Sequence, residues 1–303
     1  MVHTLPAATF TAAQRRHFAV AVVLPTVLML VLPLQPWWPL GQSPLVAASL
    51  VLGMWFLVGG VGVSVGLHRH FSHRAFEARP ALRAVLGVLG AMAAQGHVVY
   101  WVSLHRMHHA ASDQPGDPHS PRPCAWPLEG GPGALQARAR WRAVCQGHIG
   151  WVLRHDVPKP NRYARELLAD PLARQLVQRY TACVALGVLL PAAVGAMALW
   201  HSHGALTGAV FGAYWGGVVR IAIGHHVIWA INSWCHTAGR RPHATTEHSG
   251  NVAALALLSW GESWHNNHHA QPTSARFGQS WRQPDIGWWV VRGFVALGWA
   301  RLR

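Results

Sequence analysis

The sequence predicts an all-α integral membrane protein: four transmembrane helices, an interfacial or re-entrant helix, and a helical cap on one side of the bilayer. Three observations carry that expectation. Half of the 303 residues are hydrophobic (51%) and only 12% are charged, the composition of spans rather than of a soluble globule. Four apolar stretches, at about 18–34, 45–67, 180–200 and 205–231, approach the length a bilayer crossing requires. The 25 Lys and Arg residues avoid the connections "PLQPWWPLGQSP" and "HSHG" between paired stretches. The positive-inside rule then puts both termini and the middle of the chain in the cytoplasm.

The elements follow in order. The N-terminal "MVHTLPAATFTAAQRRHF" lacks the layout of a cleaved signal peptide, so the run from Phe18 reads as a first anchor. The second stretch contains "GGVGVSVG" at 59–66, a pattern for close helix packing, and leads directly into "HRHFSH" at 68–73. A fifth apolar stretch, 81–102, opens on Arg83 and is interrupted by Gly90, Gln95, Gly96 and His97. A crossing there would separate two histidine clusters, so it reads as a helix lying at or dipping into the interface, buried against protein. Residues 68–175 and 236–303 then form the cytoplasmic cap, with the Pro-, Gly- and Arg-rich 110–175 as loops and short helices. One domain covers 1–303.

The net charge of +15 suits an anionic bilayer surface or an acidic partner. No basic-aromatic stripe or nucleic-acid motif accompanies it, so nucleic acid is not an expected partner. The cysteines, 124, 145, 183 and 235, form no C-x-x-C and read as free thiols in a reducing compartment.

The chemistry lies in 22 histidines set against ten carboxylates. "HRMHH" at 105–109 and "HNNHH" at 265–269 share the spacing H-x-x-H-H. On a helix such residues point to about 0°, 300° and 40°, one face from which three imidazoles can converge on a metal. His68 and His73 differ in direction by about 140° on an α-helix, so they share a site only where the span unwinds. His70 faces away from His68, and His3, His17, His201 and His203 read as ordinary polar residues. There is no H-E-x-x-H. Glu262 and His265 form a lone E-x-x-H, short of a carboxylate di-iron bundle. An all-imidazole site leaves iron or zinc.

These boxes resemble those of the integral-membrane fatty-acyl desaturases of the stearoyl-CoA (Δ9) type, here of bacterial kind, over about residues 50–290. "HRHFSH" resembles the family's first box, "HRMHH" and "HNNHH" its second and third, and "NSWCH" at 232–236 its N-S-x-x-H element. "DPHSP" at 117–121, "HIGW" at 148–151 and the "GES" before the third box also match family segments. The resemblance implies a di-metal site in the cap with nine ligands: His68, His73, His105, His108, His109, His236, His265, His268 and His269. Asn232 would act through a water. The metals would be two irons, zinc being an inactive, non-native replacement, with no bound flavin or haem. Asp113, Asp117, His119 and Glu262 are candidates to orient the ligand imidazoles.

The implied reaction is O2-dependent insertion of a cis double bond, at Δ9, into a long acyl chain carried by CoA, an acyl-carrier protein or a lipid. Fatty-acid or alkane hydroxylation on the same scaffold is the alternative. A divalent-metal transporter is a remote one, since such proteins place ionisable ligands within their spans and here only Arg220, His225 and His226 lie that deep. Electrons would come from a ferredoxin- or cytochrome-type donor and its reductase, and the basic face suits an acidic donor. One departure stands out. "WVSL" precedes the second box where acyl-CoA enzymes carry an Arg-Asp pair, and Ser103 and Leu104 supply no such charges. Arg138, Arg140, Arg142 and Arg154 are alternative contacts for a carrier's phosphates or acids.

An acyl chain presented this way needs a narrow apolar tunnel. The second span enters the site, with Gly59, Gly60, Gly62 and Ser64 leaving room and Trp55 and Phe56 closing the blind end. The expected location is a bacterial inner membrane.

Overall fold

The computed structural model describes residues 7–35, 43–121 and 133–303. Four helices are long and apolar enough to cross a membrane: Ala12–Leu34, Pro44–Ser72, Tyr180–His203 and Ala205–Trp234. Each contains the expected stretch and extends it by up to a turn or two. Gly204, at φ 82°, ends the third span and opens the fourth, a left-handed position that costs glycine little. These two spans approach so closely that a Cβ on Gly212 would collide with the Pro191 carbonyl oxygen, the small-residue packing by which membrane helices associate.

The second span changes winding along its length. Pro44–Met54 is α-helical and Trp55–Ser72 is a π-helix, in which each hydrogen-bonded ring holds one residue more. His73 N–H accordingly donates to the His68 carbonyl, five residues back, at 3.1 Å. This corrects the expectation drawn from α-helical spacing. The two imidazoles come to 4.8 Å between centroids through wider winding, with no break in the span.

The fifth apolar stretch does not cross. It is a twelve-residue helix, Pro80–Ala91, a turn, and a second helix, Val98–Ala111. Ala94 (φ 61°) and Gly96 (φ 98°) reverse the chain. Backbone carbonyls in such a turn need partners wherever water is scarce, and the fourth span supplies them. Arg220 donates to Met92 O and Gly187 O, each at 2.8 Å, and His225 Nε2 lies 3.3 Å from Ala94 O. Arg220 and His225 of the fourth span thus clasp this turn, and Arg220 ties it to the third span as well.

The cap consists of short helices and loops, including Gly133–His148, Pro171–Gln178, His265–Ala270 and Ile286–Ala296. Asp285 opens the last by accepting the Trp288 N–H at 2.9 Å. The all-α expectation misses one small feature: Phe76–Ala78 pairs antiparallel with Ala300–Leu302, Phe76 opposite Leu302. The main core, including Val58, Val65, Leu67, Leu86, Val102 and Val291, packs the end of the second span against the re-entrant pair and the C-terminal helix. It therefore holds the histidine-bearing segments rigidly. Cys145, Cys183 and Cys235 are free thiols; Cys124 and His3 lie outside the described residues.

Candidate metal centre

Four segments deliver the box histidines to one place: the π-wound end of the second span, the helix Val98–Ala111, the end of the fourth span and the helix His265–Ala270. Their imidazoles form two groups. His68, His73, His105, His109 and His268 make one, and His108, His236, His265 and His269 the other, each with ligand atoms within 4.8 Å of one another.

Neither H-x-x-H-H box serves a single metal position, contrary to the reading from helical angles alone. The i, i+4 pair of each box stays together while the i+3 member turns to the other group. His105 and His109 join His268; His265 and His269 join His108. Two i, i+4 residues diverge by only about 40°, whereas the i+3 residue points about 60° to the other side, so two facing helices exchange one imidazole each.

The inner nitrogens fit a cation. Nε2 atoms meet at 2.7 Å (His73 and His105), 3.1 Å (His68 and His268; His109 and His268), 3.0 Å (His236 and His265) and 3.1 Å (His265 and His269). Burial, and then repulsion among neighbouring imidazoles, holds His73, His105, His109, His265, His268 and His269 well below the ordinary histidine value. Neutral rings crowding lone pairs together lack a positive centre, and imidazole nitrogen is a ligand for iron and zinc alike. The residues present therefore fit a pair of metal ions.

The outer nitrogens are turned toward carboxylates, the arrangement that fixes ligand tautomers. His108 Nδ1 donates to Asp117 Oδ2 at 2.9 Å and His236 Nδ1 to Asp113 Oδ2 at 3.0 Å. His68 Nδ1 pairs with Glu262 Oε2. Burial alone would raise Asp117 and Asp113. The His108 charge and hydrogen bond nevertheless lower Asp117 to about 2, and His236, Ser120 and the His248 N–H lower Asp113. His119, also a candidate, lies tilted against His108 at 4.4 Å between ring centroids, with its Nδ1 3.8 Å from Asp117. It sits against the group through its neighbours. His70 turns away, its Nδ1 at 3.1 Å from Phe76 O.

The sequence reading missed Glu247, Arg69 and Asp285. Glu247 lies 3.7 Å from His269 Nδ1, in a loop without helical period. Arg69, fully buried, links Glu262 to Asp285, donates to Ala275 O at 3.0 Å and lies 3.7 Å over the Phe277 ring. Its position between two box residues was the available signal. Ser64 donates to Glu262 rather than leaving room for a ligand.

One cavity adjoins the site and a second lies beyond it. The first is lined by Tyr100, Trp101, His105, His119, Trp229 and Asn232, among others. Trp101 stacks on His105 at 5.1 Å. The other, farther along the second span, is lined by Val51, Trp55, Val58, Gly59, Arg220 and Trp260, among others. Gln95 and Ile228 line both cavities and stand between them. His17, expected to be an ordinary polar residue, lines the first cavity.

Trp55 and Phe56, both expected at the closed end, are placed differently. Trp55 lines the second cavity, but Phe56 is 37% exposed on the outer face of the span. The room left by Gly59 and Gly60 is occupied by the indole of Trp260, and Gly62 is covered by the backbone of Leu89 and Gly90.

Comparison with known proteins agrees with this geometry. A family model described as fatty acid desaturase matches residues 42–300. The hex-5-enoyl-[acyl-carrier protein] acetylenase of Moorena producens is 40% identical, over 94% of this chain and 84% of the relative. The sn-1 stearoyl-lipid 9-desaturase of Synechocystis is 33% identical, over 84% and 71%. Delta-9 acyl-lipid desaturase 2 of Arabidopsis thaliana is 34% identical, over 84% and 74%. With a family match spanning all three histidine boxes, the chain belongs to the fatty acid desaturase family.

Proposed function

We propose that this fatty acyl desaturase uses two irons, O2 and an external electron donor to insert a cis double bond into a long acyl chain, at Δ9. The observation that carries the reading is the convergence of nine imidazoles, as groups of five and four, with His105 lining an adjoining cavity. His68, His73, His105, His109 and His268 would hold one ion, and His108, His236, His265 and His269 the other, with Asn232 acting through water. Bound there, iron supplies the oxygen activation needed to remove hydrogen from an unactivated methylene.

The chain's own residues do the rest. Asp117, Asp113 and Glu262 keep His108, His236 and His68 in the tautomer whose Nε2 faces inward. Trp101, stacked on His105, forms a flat wall against which an acyl segment lies beside the ligands. Gln95 and Ile228, which line both cavities, would stand where an acyl chain passes from one to the other. Holding one methylene in place supplies the orientation such a reaction needs.

The Δ9 position is supported by the names of the relatives from Synechocystis and Arabidopsis. The carrier is argued from charge. Ser103 and Leu104 offer nothing to a CoA head group, while exposed Arg138, Arg142 and Arg154 suit an acidic carrier protein, the carrier in the Moorena relative's name, or a lipid phosphate. A ferredoxin- or cytochrome-type donor would dock on the same basic face. The location is a bacterial inner membrane with both termini and the site in the cytoplasm.

The test is expression in cells, mass-spectrometric analysis of acyl products and elemental analysis of the purified protein. A new Δ9 monounsaturated chain and two irons per chain are expected. Full activity with zinc alone, or hydroxylated products only, would overturn the reading.

A further inference from the structure

We propose that the two metal positions are electrostatically unequal. The four-histidine group holds its ion more tightly, and the five-histidine group loses its ion first. The proposal rests on the di-metal reading above.

The asymmetry lies in the charges behind the imidazoles. In the group of four, three outer nitrogens face carboxylates: His108 faces Asp117 at 2.9 Å, His236 faces Asp113 at 3.0 Å and His269 faces Glu247 at 3.7 Å. All three acids are buried, and among the described residues none forms an ion pair with Lys or Arg. The group of five has one carboxylate, Glu262 behind His68, and its other oxygen is taken by Arg69. Arg69 in turn bonds Asp285 at 2.9 Å. His73, His105, His109 and His268 meet no carboxylate among the described residues.

The consequence follows from the charge of the ion. Three uncompensated anions lie one imidazole away from one metal position, and none lies so near the other. A buried divalent cation is the largest local charge in such a site and responds accordingly. Each outer partner hydrogen-bonded to a ligand histidine is worth about 10–100-fold in metal affinity, and the group of four has two such partners free of any Lys or Arg pair, Asp117 and Asp113, against one shared with Arg69 in the group of five. The expected difference is at least about tenfold.

The experiment uses the full chain, purified in detergent, loaded with Co2+ and challenged with graded EDTA, with metal per chain counted by elemental analysis. The expected curve falls from two ions to a plateau at one. Anomalous diffraction from half-stripped protein should show cobalt among His108, His236, His265 and His269. In Asp113→Asn/Asp117→Asn protein the plateau should vanish, and in Glu262→Gln protein it should remain. Simultaneous loss of both ions, or a residual cobalt peak among the five histidines, overturns the inequality while leaving the di-metal reading standing. Uptake of fewer than two ions before chelation sinks both.

Discussion

Asp113 and His236 stand 123 positions apart and meet through a 3.0 Å hydrogen bond, the carboxylate Oδ2 accepting from Nδ1. The same oxygen accepts the His248 N–H at 2.7 Å. Asp113 follows the helix Val98–Ala111 with φ 59°, a left-handed conformation that Asp adopts more readily than most residues. One carboxylate thus ties the second box, the end of the fourth span and the loop beyond it. His236→Ala should abolish product with the helical fold intact, and Asp113→Asn should weaken metal retention about 10–100-fold. Asn232→Ala should be milder, because solvent can partly replace a water-mediated contact. Product yield and metal content of the three variants check this, and near-normal turnover by His236→Ala would remove it from the ligand set.

The Glu262–Arg69–Asp285 chain predicts a stability effect separate from chemistry. Removing one partner of a buried ion pair leaves an uncompensated charge and costs about 3–5 kcal/mol. Arg69→Gln should therefore lower the thermal unfolding midpoint of metal-free and metal-loaded protein alike. Arg301→Gln, whose pairing with Glu77 is exposed, should shift it little. Equal midpoints for the two variants would show that the buried network carries no such weight.

The spans and the histidine boxes were legible because both are local patterns: apolar length, charge asymmetry and fixed spacing. Partition of the boxes was not, since whether His108 follows His105 or turns to His265 depends on how two helices face each other. The π-winding that aligns His68 with His73 left no mark in a reading based on 3.6 residues per turn. Glu247 and Asp285 act from loops placed by tertiary contacts. Trp260 looked like one apolar residue among many until its ring was seen against Gly59 and Gly60.

Acid should destabilise the metal-free protein. His73, His105, His109, His119, His265, His268 and His269 are held below the value of 6.5, first by burial. The unfolded chain therefore binds more protons than the folded one as pH falls through 6.5. Stability present above that value is lost below it, by up to about 1.4 kcal/mol per pH unit for each group. His108 is raised by Asp117 despite its burial and opposes the trend, but it is one against seven. The carboxylates Asp113 and Asp117 are lowered from 3.8, so their contribution is lost only in stronger acid. Denaturation of apoprotein between pH 7 and pH 5 should show a falling midpoint. A flat or rising profile would contradict the buried, neutral state of these rings.

The second cavity makes a prediction about chain length. Trp55 lines it, tilted against Trp260 with ring centroids 5.0 Å apart, and its Nε1 donates to Leu258 O at 3.2 Å. Trp260 is fully buried at φ 56° and fills the space over Gly59 and Gly60. Truncating Trp55 opens room where the end of an acyl chain would lie, so Trp55→Ala should shift preference toward longer chains. The double bond should stay fixed relative to the carrier end, because Gln95 and Ile228 between the cavities are untouched. Phe56→Ala is the control: its ring faces outward, and its product profile should match that of the unaltered protein. Trp260→Ala also enlarges the cavity, but removing so large a buried ring costs about 3–5 kcal/mol, so Trp260→Phe is the better probe and should give a smaller shift in the same direction. Gas chromatography of products from a mixed acyl pool measures all three profiles. A shift with Phe56→Ala and none with Trp55→Ala would place the closed end of the acyl path on the opposite face of the second span.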